Sequence, residues 1–401
     1  MTLDRRQFLR GTIAGAAALT LGSSAWRTVL AGPVAEVGAG PYGPLGAPDP
    51  ATGLRLPAGF SGRIIARSDQ PVPGTGYLWH HAPDGGAVFA TPDGGWIYTS
   101  NSEVPSASGG GASAIRFGPD GQVVDAYRVL AGTSINCAGG AVDGKWYSCE
   151  EHDAGLVWEC DPTKPGPGIP HPELGTFAHE AVAKDNAGFL YLTEDESDGR
   201  FYRYDPRTRV LAAAKWDPGT GKVEWLPIPR PNIAPGTTFT RHQVPESTVF
   251  RGGEGCWYDP HKSSGGVVYI TTKGDNRVWA YKPKQQSLEI IYDDDWFTDP
   301  PLRGVDNVTV HPQKGHVLVA EDGDNRHLNI CILAGGQVAP LLEIVGHDGS
   351  EITGPAFSPD GSRLYFSSQR GPSDFSRPLE ESSRQSNFAR PGVTYEVTGP
   401  F

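Results

Sequence analysis

The chain has 401 residues, with 46 Asp and Glu against 34 Lys and Arg, for a net charge of −12. That balance excludes nucleic acid as a partner, because phosphate backbones need clustered Lys and Arg, and it suits the binding of divalent or trivalent cations. Five cysteines are an odd number, so at least one is free or a ligand, and a chain this long buries a core without a disulfide framework.

The first segment reads as an address. Arg5-Arg6 precede Phe8-Leu9, an apolar run follows from Gly11 to about Leu21, and small residues lead to Ala31. This is the layout of a twin-arginine signal peptide, and the apolar run is too short to span a bilayer. The expectation is export by the Tat machinery to the periplasm or beyond, with no stable membrane span. Removing residues 1–31 takes away Arg5, Arg6, Arg10, Arg27 and Asp4, which moves the net charge from −12 to −15. Residues 32–55, rich in Gly, Pro and Ala, read as a linker or wrap, and 56–401 as one propeller domain.

A repeat fills that domain. Its clearest copy runs His179-Glu180-Ala181-Val182, Asp185 to Gly188, Phe189 to Thr193, Glu194-Asp195-Glu196, and Phe201 to Pro206. The pattern is an acidic start, a strand, a turn, an apolar strand, an acidic loop and a third strand. Copies begin at Glu254, Asp306 and Thr353, and two looser ones lie around Ala87–Glu103 and Asn136–Cys160. Fourth strands are expected at Val123–Val129, Val223–Ile228, Leu288–Tyr292 and Leu341–Val345. The sixth unit stops at its third strand, Val393–Val397, and Gly62–Arg67 is placed to supply the outer strand. Six units of about four strands predict an all-β, six-bladed β-propeller in a single domain. A monomer is expected.

The inner strand of a propeller blade starts at the central channel, so the first position of each unit should face a common axis. Those positions are Glu180, Glu254 and Asp306, with Thr353 in the sixth unit and Asn136, Cys137 and Asp84 as candidates in the looser ones. Converging carboxylates repel unless a cation neutralises them. Oxygen donors suit calcium, and carboxylates with one thiolate suit a transition metal. A second acidic set follows the second strand of each unit, from which Glu103, Glu150, Glu194 and Glu321 are selected as further metal ligands. Glu196 and Asp324 read as solvated loop charges. His179 reads either as a ligand or general acid–base, or as a packed histidine. Serine-hydrolase, zinc-helix and phosphate-loop motifs do not occur.

The segments Asn136-Cys137-Ala138-Gly139-Gly140 with Trp146 to Glu151, His179 to Val182 with Thr193 to Glu196, Asp306 to Val310 with Glu321-Asp322-Gly323, and Gly354 to Gly361 together resemble the PhoX-type alkaline phosphatases. The resemblance covers nearly all of the chain after the signal. It implies hydrolysis of phosphate monoesters by a cluster of iron and calcium in the channel, with a cysteine thiolate on iron. Carried to matching positions, it makes Cys137 the thiolate, Cys149 the second choice, and Glu180, Glu254 and Asp306 carboxylate ligands. Lys273, Arg277 or Arg370 would clamp the phosphate of a small phosphorylated substrate. The chain departs from the family between its cysteines, where Ala141 to Lys145 replace a Thr-Pro-Trp-Gly-Thr segment, and at Ser102, where the family has His. The alternatives are a calcium-dependent lactonase- or esterase-type hydrolase and a non-catalytic metal-binding propeller.

Overall fold

The computed structural model describes residues 36–234, 236–322, 329–372 and 391–401. The twin-arginine segment, Asp324 and the start of the strand expected from His327 lie outside them. Six sheets follow one another around an axis, and apart from strands added from the N-terminal side of the chain each is antiparallel and runs from its innermost strand outward. The inner strands are Pro83–Ala90, Asn136–Val142, His179–Lys184, Gly253–Asp259, Val305–Val310 and Ile352–Phe357, which begin blades 1 to 6. The described residues contain no α-helix, only five short 3₁₀ turns.

Blade 6 is completed from the other end of the chain. Its third strand, Val393–Thr398, pairs with Ser61–Arg67, so the strand expected at Gly62–Arg67 closes the ring and covers the edge of the third strand. Before reaching it, the chain lays Glu36–Val37 and Leu54–Arg55 against the outer strand of blade 5, Gln337–Ile344. Blade 3 differs from the expected plan: its fourth strand is Val210–Trp216, and Val223–Pro227 is a fifth strand outside it. Blade 2 ends in a two-residue outer strand, Ile169–Pro170.

Alternation of side chains sends one face of each strand to each neighbouring blade. The result is six apolar clusters, one between each pair of blades, such as Trp79, Trp96, Phe117 and Tyr365 between blades 6 and 1. No membrane-length apolar helix occurs among the described residues.

Every inner strand carries a β-bulge near its start. In blades 1 to 5 two consecutive residues face a single partner: Asp84-Gly85, Cys137-Ala138, Glu180-Ala181, Glu254-Gly255 and Asp306-Asn307. A bulge tilts the local backbone and re-aims one side chain. Here the re-aimed side chain is the first of each pair, and it turns into the channel. In blade 6 the bulge slips one residue to Gly354-Pro355. Thr353 stays paired, and its hydroxyl donates to the Pro83 carbonyl at 2.7 Å instead of lining the channel. Glu351, two residues earlier, fills the sixth place.

Candidate metal centre

The channel opens into a cavity of about 170 Å³ built from two rings. The first is the bulge ring: Asp84, Cys137, Glu180, Glu254 and Asp306, joined by Glu351. The second consists of the residue immediately after the second strand of each blade: Glu103, Glu151, Asp195, Lys273, Asp322 and Gln369. With Arg370, the described residues of the lining amount to nine carboxylates, one thiol, one amide and two cations.

The second strands also hold the first ring in place. Asn101, opposite the blade 1 bulge, donates from Nδ2 to the carbonyls of Cys137 at 2.9 Å and Ala138 at 2.6 Å. Its Oδ1 accepts from Trp146 Nε1 and Ser148 Oγ, each at 2.9 Å, which fixes the amide orientation. At the same register Thr193 donates to the Glu254 carbonyl and Thr271 to the Asp306 carbonyl. Blades 1, 3 and 4 therefore each position the ring residue of the next. Cys149 occupies this register position in blade 2, opposite Cys137-Ala138, and is buried in the cluster between blades 2 and 3. Among the five cysteines, all free, Cys137 is the one at the cavity.

Packing this many acids together is unfavourable without compensating charge. Burial, then the charges of Glu103 and Asp306, push Asp84 well above the usual carboxylate range. Burial, then Glu151, Asp306 and Asp84, do the same to Glu180, and the nearby Cys137 thiol offsets this only in part. Both carboxylate oxygens of Glu180 are buried with no hydrogen-bond partner. Burial and the surrounding acids also hold the Cys137 thiol well above its ordinary value. Asp306 is pushed up to about 6 by burial, against the pull of Lys273. An unpartnered buried carboxylate is costly, and it is the group a cation would satisfy.

Four groups of three donors each bring their ligand atoms within 4.8 Å of one another: Cys137–Glu151–Glu180, Asp84–Glu103–Glu351, Glu180–Glu254–Asp306 and Asp306–Asp322–Glu351. These groups could hold metal ions, with shared members at Glu180, Asp306 and Glu351.

Not every expected residue reaches the cavity. Glu150 is turned outward, accepting from Ser134 N at 2.8 Å and Trp158 Nε1 at 2.8 Å, and its neighbour Glu151 lines the site. Glu194 accepts from Tyr202 OH at 2.7 Å and pairs with Arg241 at 3.1 Å, leaving Asp195 in the ring. Glu321 accepts from Arg303 N and from Asn329, leaving Asp322. Each of the three ends a strand, and the following residue points the other way. For the same reason His179, adjacent to Glu180, faces away: its Nε2 lies 3.1 Å from the Gly175 carbonyl and its ring packs on Phe177. Arg277 is engaged by Asp275 at 2.9 Å and Asp293 at 2.7 Å, outside the cavity. Lys273 and Arg370 do reach it. Glu351 and Gln369 were not anticipated, because blade 6 has no acidic residue at the ring position of its repeat.

Comparisons with known proteins agree with this architecture. The structure aligns with PhoX of Pseudomonas fluorescens in complex with vanadate at a TM-score of 0.67 and 15% identity, covering 88% of this chain and 97% of that one. A gluconolactonase from Xanthomonas campestris aligns at 0.49 and 12% identity, covering 90% and 99%. A calcium-binding regucalcin from Agrobacterium tumefaciens aligns at 0.45 and 15%, covering 85% and 96%. No curated protein matches the chain. A twin-arginine signal matches residues 2–22, so the protein is exported by the Tat pathway to the periplasm or beyond. The alkaline phosphatase PhoX family matches residues 150–371, from the acidic end of the second strand of blade 2 to Gly371 beside Arg370, and on that match the chain belongs to the PhoX family.

Proposed function

We propose that this protein hydrolyses phosphate monoesters at a metal cluster in its channel, with iron on the Cys137 side and calcium on the all-oxygen side. Family membership supports a phosphatase. The observation that carries the metal reading is Glu180, a fully buried carboxylate with both oxygens unpartnered, facing a thiol and further acids.

The donor chemistry divides the cavity. Cys137, Glu151 and Glu180 combine a soft sulfur with carboxylates and would hold a transition metal. Asp84, Glu103 and Glu351 offer only oxygen and would hold a hard cation such as calcium. Bound ions would neutralise phosphoryl oxygens and lower the pKa of a bound water. The residues of the chain supply position and charge. Arg370 spans Glu351 at 3.1 Å and Asp322 at 3.2 Å, which orients its planar guanidinium at the cavity for a phosphate oxygen. Asn101, Thr193 and Thr271 keep ring residues fixed through their carbonyls, so little reorganisation accompanies the reaction. The Pseudomonas fluorescens PhoX structure contains vanadate, a transition-state analogue. We assign a phosphoryl group of the same kind as the ligand of this cavity.

Metal analysis of protein exported by its own signal, paired with p-nitrophenyl phosphate turnover, tests the reading. Iron, calcium and turnover are expected together. Glu180→Gln should lose metal and reduce turnover by at least roughly 100-fold while the fold persists. Protein that contains no iron and turns over no phosphate ester would reject it.

A further inference from the structure

Five of the six residues that follow the second strands are acids or a neutral amide, and the sixth is Lys273. Its side chain reaches across the axis side of blades 4 and 5. The ammonium lies 2.7 Å from Glu254 Oε1, 3.4 Å from Asp306 Oδ2 and 3.6 Å from Asp322 Oδ2. An ammonium has three N–H bonds, and here three carboxylates from two blades surround it. It shares Glu254 and Asp306 with one of the four donor groups, Glu180–Glu254–Asp306.

Among the described residues, no such charge pairs with the opposite side of the same group. Glu180 is its third member, fully buried, with neither oxygen partnered. Arg370, the other cation of the cavity, serves Glu351 and Asp322. Among the described residues, the two cations lining the cavity therefore lie on the blade 4 to 6 side.

We propose that Lys273 is a built-in cation that takes the place of one metal ion beside Glu254, Asp306 and Asp322, so that the cluster of this chain holds one ion fewer than its donor groups would otherwise bind. The inference rests on the metal-centre reading above but not on phosphate turnover. It has a physical consequence. A tethered ammonium neutralises without dissociating, so part of the acid ring stays compensated when a chelator removes the ions. An ammonium carries one charge and cannot polarise a bound water as a divalent ion does, so the side it occupies holds position and the Cys137 side is left for the exchangeable ions.

The test counts ions. Wild type, Lys273→Gln and Lys273→Arg are stripped with chelator, dialysed against saturating calcium, and their calcium per chain is measured by mass spectrometry. Lys273→Gln should bind one calcium more than wild type, and Lys273→Arg should match wild type. If Lys273→Gln folds only when calcium is present, by thermal unfolding with and without the ion, that also supports the proposal, because the ion then replaces the missing charge. An unchanged or lower count in Lys273→Gln overturns it, as does failure of that variant to fold even in saturating calcium. A wild type that binds no metal in the same measurement rejects the metal-centre reading itself, which distinguishes the two failures.

Discussion

The two residues of each inner-strand bulge are neighbours in sequence and opposites in task. The first, Asp84, Cys137, Glu180, Glu254 or Asp306, carries the chemistry of the cavity. The second, Gly85, Ala138, Ala181, Gly255 or Asn307, lies on the side of the channel where the inner strands of adjacent blades nearly touch, around a void of about 30 Å³. That space admits about one water. A Cβ on Gly85 would stand 2.3 Å from the Ala138 Cα, and one on Gly255 would stand 2.5 Å from the Val308 nitrogen. One local distortion thus opens the axis toward one end and seals it toward the other. In four of the five bulges the position beside the charged or thiol group is reduced to Gly or Ala, which lets the inner strands approach around a charged centre.

The sharpest way to break this comparison is to enlarge the second position. Gly85→Val meets backbone, which cannot rotate away, so blades 1 and 2 must separate. We expect a loss of about 4 kcal/mol or more, or no folded protein, by denaturant unfolding. Asp84→Asn, one residue earlier, should keep the fold and change only the metal content. If Gly85→Val were tolerated as easily as Asp84→Asn, the division of labour within the bulge would be wrong.

The same bulges explain how much of the site was legible in the sequence. The repeat marks the first ring well, since Glu180, Glu254 and Asp306 each open a unit whose hydrophobic pattern is strong. The second ring was legible only where one acid stood alone. Glu103 follows Ser102 and has no acidic neighbour to compete with it, and it lines the cavity. Glu150-Glu151, Glu194-Asp195 and Glu321-Asp322 each offer two acids, and the choice depends on where a strand ends to within one residue. Because strand side chains alternate, that single residue decides between the cavity and the outer blade. In blade 4 the equivalent position is Lys273, which no acidic pattern marks. Glu351 could not be read at all, since it reaches the ring only because the blade 6 bulge has slipped to Gly354-Pro355.

A second prediction concerns the buried carboxylates. Asp306 is raised from 3.8 to about 6, by burial above all, and Glu194 from 4.5 to about 7, by burial against its pairing with Tyr202 and Arg241. Both then hold a proton in the folded chain at pH values where the unfolded chain has lost it. The folded state binds more protons, so stability falls as pH rises, beginning near pH 4 and continuing to about pH 7. Asp84, Glu180, Glu254 and Glu351, raised well above the usual range with burial the largest cause, act in the same direction. Each unit of displacement is worth about 1.4 kcal/mol, so the chelated protein should lose a few kcal/mol between pH 5 and 8. Calcium should flatten the slope, because ions displace those protons. Thermal unfolding across that range with chelator and with calcium checks both signs, and a chelated protein as stable at pH 8 as at pH 5 would contradict the account.

The smallest expected change in stability separates two cysteines that the sequence left competing. Cys137 is the first bulge residue of blade 2, and Cys149 is the residue directly opposite that bulge. They are therefore close in the fold, yet Cys137 lines the cavity with Glu151 and Glu180, and Cys149 is packed among Val142, Leu174, Phe177 and Leu192. Cys149→Ala removes one buried sulfur from an apolar cluster and should cost about 1–2 kcal/mol, with the metal content unchanged. Cys137→Ala should cost under about 1 kcal/mol, since it also removes a thiol that burial, and then the surrounding acids, hold in its neutral form, and it should abolish iron binding. Iron per chain and the unfolding midpoint, measured on both variants, decide the matter. If iron follows Cys149 instead, the thiolate lies between the blades and the bulge has not aimed the sulfur that matters. If iron follows Cys137, the backbone distortion that seals one end of the axis also selects which of the five sulfurs is available for metal chemistry.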